Sequence, residues 1–223
     1  MDKKKQEKIK VVIWGASGHA KVIASILEMN SSYELVGFLD DVNPERKGQT
    51  FCGKIILGGR EQMLSLREKK VKHIALGVGS CSARNELGNF LVDHAYSPLT
   101  VCHPTSSVAS NVEIGQGAVI LAGAIIDPAC RIGNYCIINN NSVICHDTVI
   151  QDAVHICPGV HVAGQVTIGL ASWIGIGSCI SDHVSIGARS YIGAGSVVVK
   201  DIPGGVLAYG NPARVIRSID NDF

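Results

Sequence analysis

The chain has 223 residues, 46% of them hydrophobic, 17% charged and only 5% aromatic, with 25 glycines and a formal net charge of +1. So apolar and so weakly charged a composition excludes a disordered chain. No uninterrupted apolar run of ~18 residues occurs, which excludes a membrane-spanning helix, and the near-neutral balance without a basic stripe argues against nucleic acid as a partner.

The Met1-Asp2-Lys3-Lys4-Lys5 start carries no apolar leader pattern, so a reducing cytoplasm is the expected compartment. In that setting the eight cysteines read as small buried hydrophobes. There is no Cys-x-x-Cys pair and no Cys/His set at zinc spacing, so no metal is expected.

In chain order, Ile9 to Trp14 reads as a β-branched strand, Gly15-Ala16-Ser17-Gly18-His19 as a turn, and Ala20 to Met29 as a helix. Glu34 to Leu39 is the next strand and ends in Asp40-Asp41. A helix is expected over 59–70, a strand over 73–78 and a helix over 83–95. Alternating strands and helices predict a small Rossmann-like parallel sheet, an α/β domain over 1–104. Glycines between a strand and a helix suit a phosphate, because the backbone can approach closely and the helix N-terminus presents free N–H groups. The motif lacks one glycine of the full dinucleotide fingerprint, so a smaller ligand such as a nucleotide-sugar fits it better. A tight turn without a ligand is the plain alternative. Asp40 and Asp41 could accept from a ribose or base, or form an ordinary acidic turn.

From Val108 to Val198 an Ile or Val recurs every sixth residue, sixteen times without a slip in phase. A fixed short period marks a solenoid. Four residues after each aliphatic comes a small or β-branched residue, and one residue after it glycine is frequent, as at Gly115, Gly133, Gly169 and Gly175. Three hexads make one triangular coil, with the aliphatic pointing inward and stacking on the residue eighteen places later. Glycine is expected to serve the turn dihedrals. The pattern predicts a left-handed parallel β-helix over 105–223, with about five coils and a length of about 25 Å. The segment from Asp201 to Arg214 breaks the rhythm and is expected to cap the open end.

These features together resemble the bacterial sugar O/N-acyltransferases, often described as sialic-acid O-acetyltransferase-like. The residues that carry the resemblance are the Gly15–Ala20 turn, the Leu39-Asp40-Asp41 strand end, Cys145-His146-Asp147 in the hexad array, and the closing Gly210-Asn211-Pro212-Ala213-Arg214. The family includes N-acetyltransferases acting on nucleotide-linked 4-amino-4,6-dideoxysugars in surface glycan synthesis. The resemblance implies a homotrimer with active sites between subunits and acetyl-CoA along the groove between neighbouring β-helices. It implies His146 as general base with Asp147 as its partner, and Gly164 lending its N–H to the oxyanion. It further implies that His155, Gly164, Ile176, Ala194 and Pro212 contact CoA. Asn139 would line the sugar site, and Gly15, Ser17, Gly18, His19, Asp40 and Asp41 would bind the nucleotide. Asp at 147 departs from relatives that carry Glu, which shortens its reach.

The chemistry agrees with the residues. Acyl transfer from a thioester needs a base, an oxyanion donor and alignment of two substrates. His146, two residues past Ile144, should project outward near a turn, and histidine is the residue type suited to proton transfer near neutral pH. His155, His161 and His183 read first as packing or surface residues. O-acetylation of a sialic-acid-type sugar is the same-class rival. A zinc-binding or non-catalytic β-helix, or a nucleotide sensor, is the rival from another class.

Overall fold

The computed structural model describes residues 8–219, so the Met1–Lys5 start behind the compartment expectation lies outside the described residues. The chain divides into two compact units. One comprises residues up to 78 together with 89–101, and the other comprises 79–88 together with 102 onward. The sequence places its boundary at 104. The structure moves residues 79–88 into the second unit, because their side chains bond to the β-helix, as described below.

The first unit is a six-stranded sheet with helices. Its elements are β1 (Ile9–Trp14), α1 (Gly18–Met29), β2 (Tyr33–Leu39), β3 (Thr50–Phe51), β4 (Lys54–Gly58), α2 (Met63–Glu68), β5 (His73–Leu76), α3 (Cys81–Asp93, which continues into the second unit) and β6 (Ser97–Pro98). The sheet order is β3-β4-β2-β1-β5-β6, parallel except for the β3–β4 hairpin. β1 lies between β2 and β5, so the connection reverses direction there. In such sheets that reversal marks where a ligand can enter at the strand ends. Val11, Val12, Ile13 and Trp14 of β1 are buried with Ile23, Ile26 and Leu27 of α1, which is the core the alternating pattern predicts.

Three differences from the sequence pattern have local causes. The helix expected over 59–70 is a 3-10 turn at Arg60–Gln62 followed by a short α2, and the backbone ends it by turning left-handed at Lys70. The strand expected over 73–78 ends at Leu76, because Gly77 passes where a Cβ would lie 2.6 Å from Ile13 and 2.9 Å from Ala20. The β3–β4 hairpin is an addition to the expected elements. Its turn puts Cys52 and Gly53 both at positive φ, the conformation of a tight hairpin, but Cys-Gly is a weak signal for it.

The second unit is a parallel β-helix whose two-residue strands stack in three faces. The first face runs from Val101–Cys102 through Ile137–Ile138, His155–Ile156 and Trp173–Ile174 to Tyr191–Ile192. The second runs from Ser107–Val108 through Val143–Ile144 to Val197–Val198. The third runs from Glu113–Ile114 through Val149–Ile150 to Ser185–Ile186. Pairing runs eighteen residues apart, as in Ile126↔Ile144 and Ile138↔Ile156. The repeat starts one hexad earlier than its aliphatics show, because Cys102 takes the position of an Ile.

The interior follows the pattern. Ile120, Ile138, Ile156, Ile174 and Ile192 are fully buried, and so are the small companions Ala124, Cys136, Ser142, Thr148 and Ser178. The buried hydroxyls are satisfied by neighbouring carbonyls, for example Ser178 Oγ donating to Gly193 O at 3.1 Å.

The turn glycines have a different function from the expected one. From Ile114 to Ile192, left-handed φ falls three residues after each aliphatic, at Ala129, Asn141, Asp147, Gln165 and Ala171 as well as at Gly159 and Gly177. The glycines one residue after the aliphatic serve close approach between coils instead: a Cβ at Gly169 would meet Ala188 N at 2.4 Å. The end is capped by Val206–Gly210 and Ala213–Ser218, an antiparallel hairpin that extends the first face.

Candidate active site

In the first unit the loop after β1 is shaped by two constraints. Gly15 has φ +116°, and a Cβ there would lie 2.7 Å from Gly77 O. Exposed Ser17 precedes α1 and makes no capping bond with its own hydroxyl. Gly18 opens the helix with nothing within 4 Å of where a Cβ would stand, so an anion can approach the first turn. His19 is half-buried beside it.

The two aspartates expected as nucleotide ligands are largely occupied within the protein. Asp40 accepts from the Val42 and Asn43 backbone N–H groups, from Asn43 Nδ2 and from Arg46, the last at 2.8 Å. Arg46 also donates to Ala16 O at 3.0 Å, which ties Asp40 to the glycine loop. Asp41 accepts from Trp14 Nε1 at 3.1 Å and from the Arg60 backbone at 2.6 Å. Asp40 therefore anchors the loop rather than presenting an open carboxylate. Asp41, the more exposed of the two, keeps more access.

In the second unit the polar residues gather at two different corners. Between the second and third faces, His146 Nδ1 lies 2.8 Å from Asp147 Oδ2, and both side chains are more than half exposed. An ionised carboxylate only accepts, so Nδ1 carries the hydrogen and Nε2 is left as a base. Asp147 sits at a turn with φ +59°, a conformation short polar residues tolerate. One coil further, Gly164 lies directly against the imidazole. A Cβ there would be 2.7 Å from His146 Cε1 and 2.9 Å from Nε2. The bonds from Gln165 N to His146 O and from His183 N to Gly164 O hold this stack. Gly164 N makes no hydrogen bond among the described residues, so it can serve an outside acceptor.

The corner between the first and second faces carries Asn139, Ile176 and Ala194. Gly159 N to Asn140 O, Gly177 N to Pro158 O and Gly195 N to Ile176 O stack it coil upon coil. Ile176 is 56% exposed although large and apolar. Ala194 is exposed above it, and Pro212 is exposed in the C-terminal hairpin turn. Within one chain the structure thus brings His146, Asp147 and Gly164 together and places Asn139, Ile176 and Ala194 apart from them, across the second face.

His155 is bound up in protein hydrogen bonds that its spacing does not announce. Its ring is buried, with Nδ1 3.3 Å from Gly79 O and Nε2 3.1 Å from Asn139 Nδ2. Burial pushes its pKa down to about 4, and the nearby Arg84 charge acts in the same direction against the Gly79 hydrogen bond. Both ring nitrogens are engaged, so the CoA contact expected of His155 is not open to them. The ring packs on Trp173 at 4.2 Å between centroids, and Trp173 stacks on Tyr191. This ladder has a sequence signal, since His155, Trp173 and Tyr191 are spaced by eighteen. Arg84 has none. It is fully buried and donates to Tyr135 O at 2.6 Å and Gly117 O at 2.8 Å, locking segment 79–88 to the β-helix. His161 and His183 are exposed at the surface, as expected. No group of three His, Cys, Asp or Glu side chains that could hold a metal ion is found among the described residues.

Both units have known relatives. The PglD N-terminal domain family matches residues 10–91, and the bacterial transferase hexapeptide repeat matches residues 103–146. The perosamine N-acetyltransferase of Caulobacter crescentus, solved with CoA and GDP-perosamine in variants of a single histidine, is 32% identical with a TM-score of 0.86. That likeness covers 94% of this chain and 97% of that one. The acetyltransferase domain of PglB from Neisseria gonorrhoeae, solved with acetyl coenzyme A, is 30% identical with a TM-score of 0.86, over 94% and 100% of the two chains. UDP-N-acetylbacillosamine N-acetyltransferase of Bacillus subtilis is 37% identical over 115 residues, which span 50% of this chain and 51% of that protein.

Proposed function

This chain belongs to the bacterial sugar O/N-acyltransferase family with a PglD-type N-terminal domain and a left-handed hexapeptide-repeat β-helix, and we propose that it transfers an acetyl group from acetyl-CoA to the 4-amino group of a nucleotide-linked amino-dideoxysugar. The observation that carries the reading is the His146–Asp147 pair lying against Gly164. The N-terminal loop with Gly15, Ser17, Gly18 and His19 would hold the nucleotide, with Asp41 beside it.

His146 Nε2 takes the proton as the amine nitrogen bonds to the thioester carbon. The Gly164 N–H stabilises the oxyanion. The carbon–sulfur bond then breaks, and the proton passes from His146 to the departing thiolate. No covalent enzyme intermediate is needed, because the thioester is already activated.

The division of residues between two corners supports a homotrimer. The second face lies between those corners and carries the outward Ile125, Val143, His161, Cys179 and Val197, with Ile125 and Cys179 exposed. Copies packed through this face would bring the His146 corner of one beside the Ile176 corner of the next, where the CoA arm would lie along Ile176, Ala194 and Pro212. The setting that fits is the cytoplasm, in lipopolysaccharide synthesis or protein glycosylation, where nucleotide-sugars are consumed.

The test is thiol release from acetyl-CoA against a panel of UDP-, GDP- and dTDP-linked 4-aminosugars and matched hydroxyl sugars. Release with an aminosugar supports the reading. Release only with a hydroxyl sugar replaces it with O-acetylation.

A further inference from the structure

The His155–Asn139 pair is anchored at both ends by backbone groups whose hydrogen-bonding sense cannot change. At one end the Asn140 backbone N–H donates to Asn139 Oδ1 at 2.8 Å. That fixes the Asn139 oxygen as the acceptor and turns its Nδ2 toward His155, 3.1 Å away. Nδ2 can only donate, so His155 Nε2 must accept. The ring proton is therefore on Nδ1, where it faces the Gly79 carbonyl, which can only accept. Every group along this chain has a compatible partner. One hydrogen of Asn139 Nδ2 is left over, with no acceptor among the described residues.

We propose that His155 is a positioning residue: held as the Nδ1–H tautomer by Gly79 O, it fixes Asn139 as a hydrogen-bond donor to an acceptor oxygen of a bound substrate. The inference rests on the acetyl-transfer reading for its kinetic part and on the geometry alone for its tautomer.

The carbonyl that sets the tautomer is itself held in place. Gly79 begins the segment that Arg84 clamps through the Tyr135 and Gly117 carbonyls. Gly88, at the segment's other end, lies so close to Tyr135 that a Cβ would meet the ring at 2.5 Å. Cys81 Sγ adds a bond to Ser172 O at 3.6 Å. The groups around the imidazole are the Arg84 cation, the neutral Cys81 thiol, and Trp173 against its ring. None supplies a negative charge that would favour a second ring proton.

Asn139 shares its corner with Ile176 and Ala194, so the acceptor is an oxygen of the acyl donor or of the sugar. The Michaelis constant that rises in Asn139→Ala tells the two sources apart.

Two substitutions separate positioning from packing. The amide of His155→Gln reaches the Nε2 position and can still accept from Asn139, whereas that of His155→Asn reaches only the Nδ1 position. Asn139→Ala and His155→Asn should each lower kcat/KM about tenfold. The double variant should be no worse than Asn139→Ala alone, and His155→Gln should stay within about threefold of the parent. Losses that multiply to about a hundredfold in the double variant overturn the proposal. Nitrogen-15 NMR of the histidines should find the His155 ring as a single Nδ1–H tautomer from pH 8 to about pH 5.5. An Nε2–H tautomer, or titration near the ordinary ~6.5, also overturns it. The NMR result needs no turnover, so failure of acetyl transfer in the parent would count against the proposed function and leave the tautomer assignment to be judged alone.

Discussion

The imidazole of His146 rests on the bare α-carbon of Gly164, one coil further along the β-helix, so closely that a methyl group there would lie 2.7 Å from Cε1 and 2.9 Å from Nε2. The proposed base and the amide proposed to stabilise the oxyanion are thereby set side by side. Gly164 is not left-handed in φ, so its backbone accepts alanine and only the imidazole must move. Gly164→Ala should fold with unchanged circular dichroism and lose at least tenfold in kcat. Full activity in a folded Gly164→Ala protein would contradict the stacking role.

If His146 is the base proposed above, His146→Ala should cost about a hundredfold or more in kcat. Asp147→Asn is the cleaner probe of the partner, because asparagine tolerates the left-handed turn at 147. It should lower kcat about tenfold by weakening support of the imidazolium while leaving the thermal midpoint within a few degrees. The measurement is steady-state kinetics beside a melting curve.

Cys52 in the β3–β4 turn and Cys179 on the second face are both exposed in the single chain. If copies assemble through the second face, a thiol reagent should modify Cys52 rapidly and Cys179 slowly. Equal rates would place the interface elsewhere. Cys136 and Cys157, which burial raises to about 12, should react only on unfolding.

His155 links stability to acid. Its pKa is about 4 in the fold, below the ordinary ~6.5 of an unfolded chain. Between these values the unfolded state binds more protons, so stability rises with pH through that window. The contribution is complete above about 6.5 and is lost as pH falls to about 4, on the order of 3 kcal/mol. Urea midpoints of the parent should fall more steeply between pH 6.5 and 4 than those of His155→Gln. Parallel curves would refute the linkage.

Two glycines of the array should respond oppositely. Gly169→Ala drives a methyl group into the Ala188 backbone at 2.4 Å and should destabilise by about 2 kcal/mol or more. Gly159 has φ +65° and open space around it, so Gly159→Asn should change stability by less than about 1 kcal/mol. Chemical denaturation of both variants checks the contrast.

Much of this protein is legible in its amino-acid sequence alone. The strict six-residue period fixes the three faces, the buried aliphatic and its small companion, because each coil must superpose on the next and every slip would expose a whole row. The turn from Gly15 to Gly18 and the outward His146 are equally readable, since each depends on residues near in sequence. The function of the glycines is not, because both a left-handed turn and a close approach select glycine and only positions in space tell them apart. What Asp40 and His155 bond to within the protein is not legible either, because their partners are set by the fold. Those partners include Arg46 for the first, and the Gly79 carbonyl, 76 residues away in the chain, for the second. Local pattern determined where each side chain points. The tertiary structure decided what it meets, because a hydrogen bond is set by a partner's position in space, and no period in the sequence encodes that position.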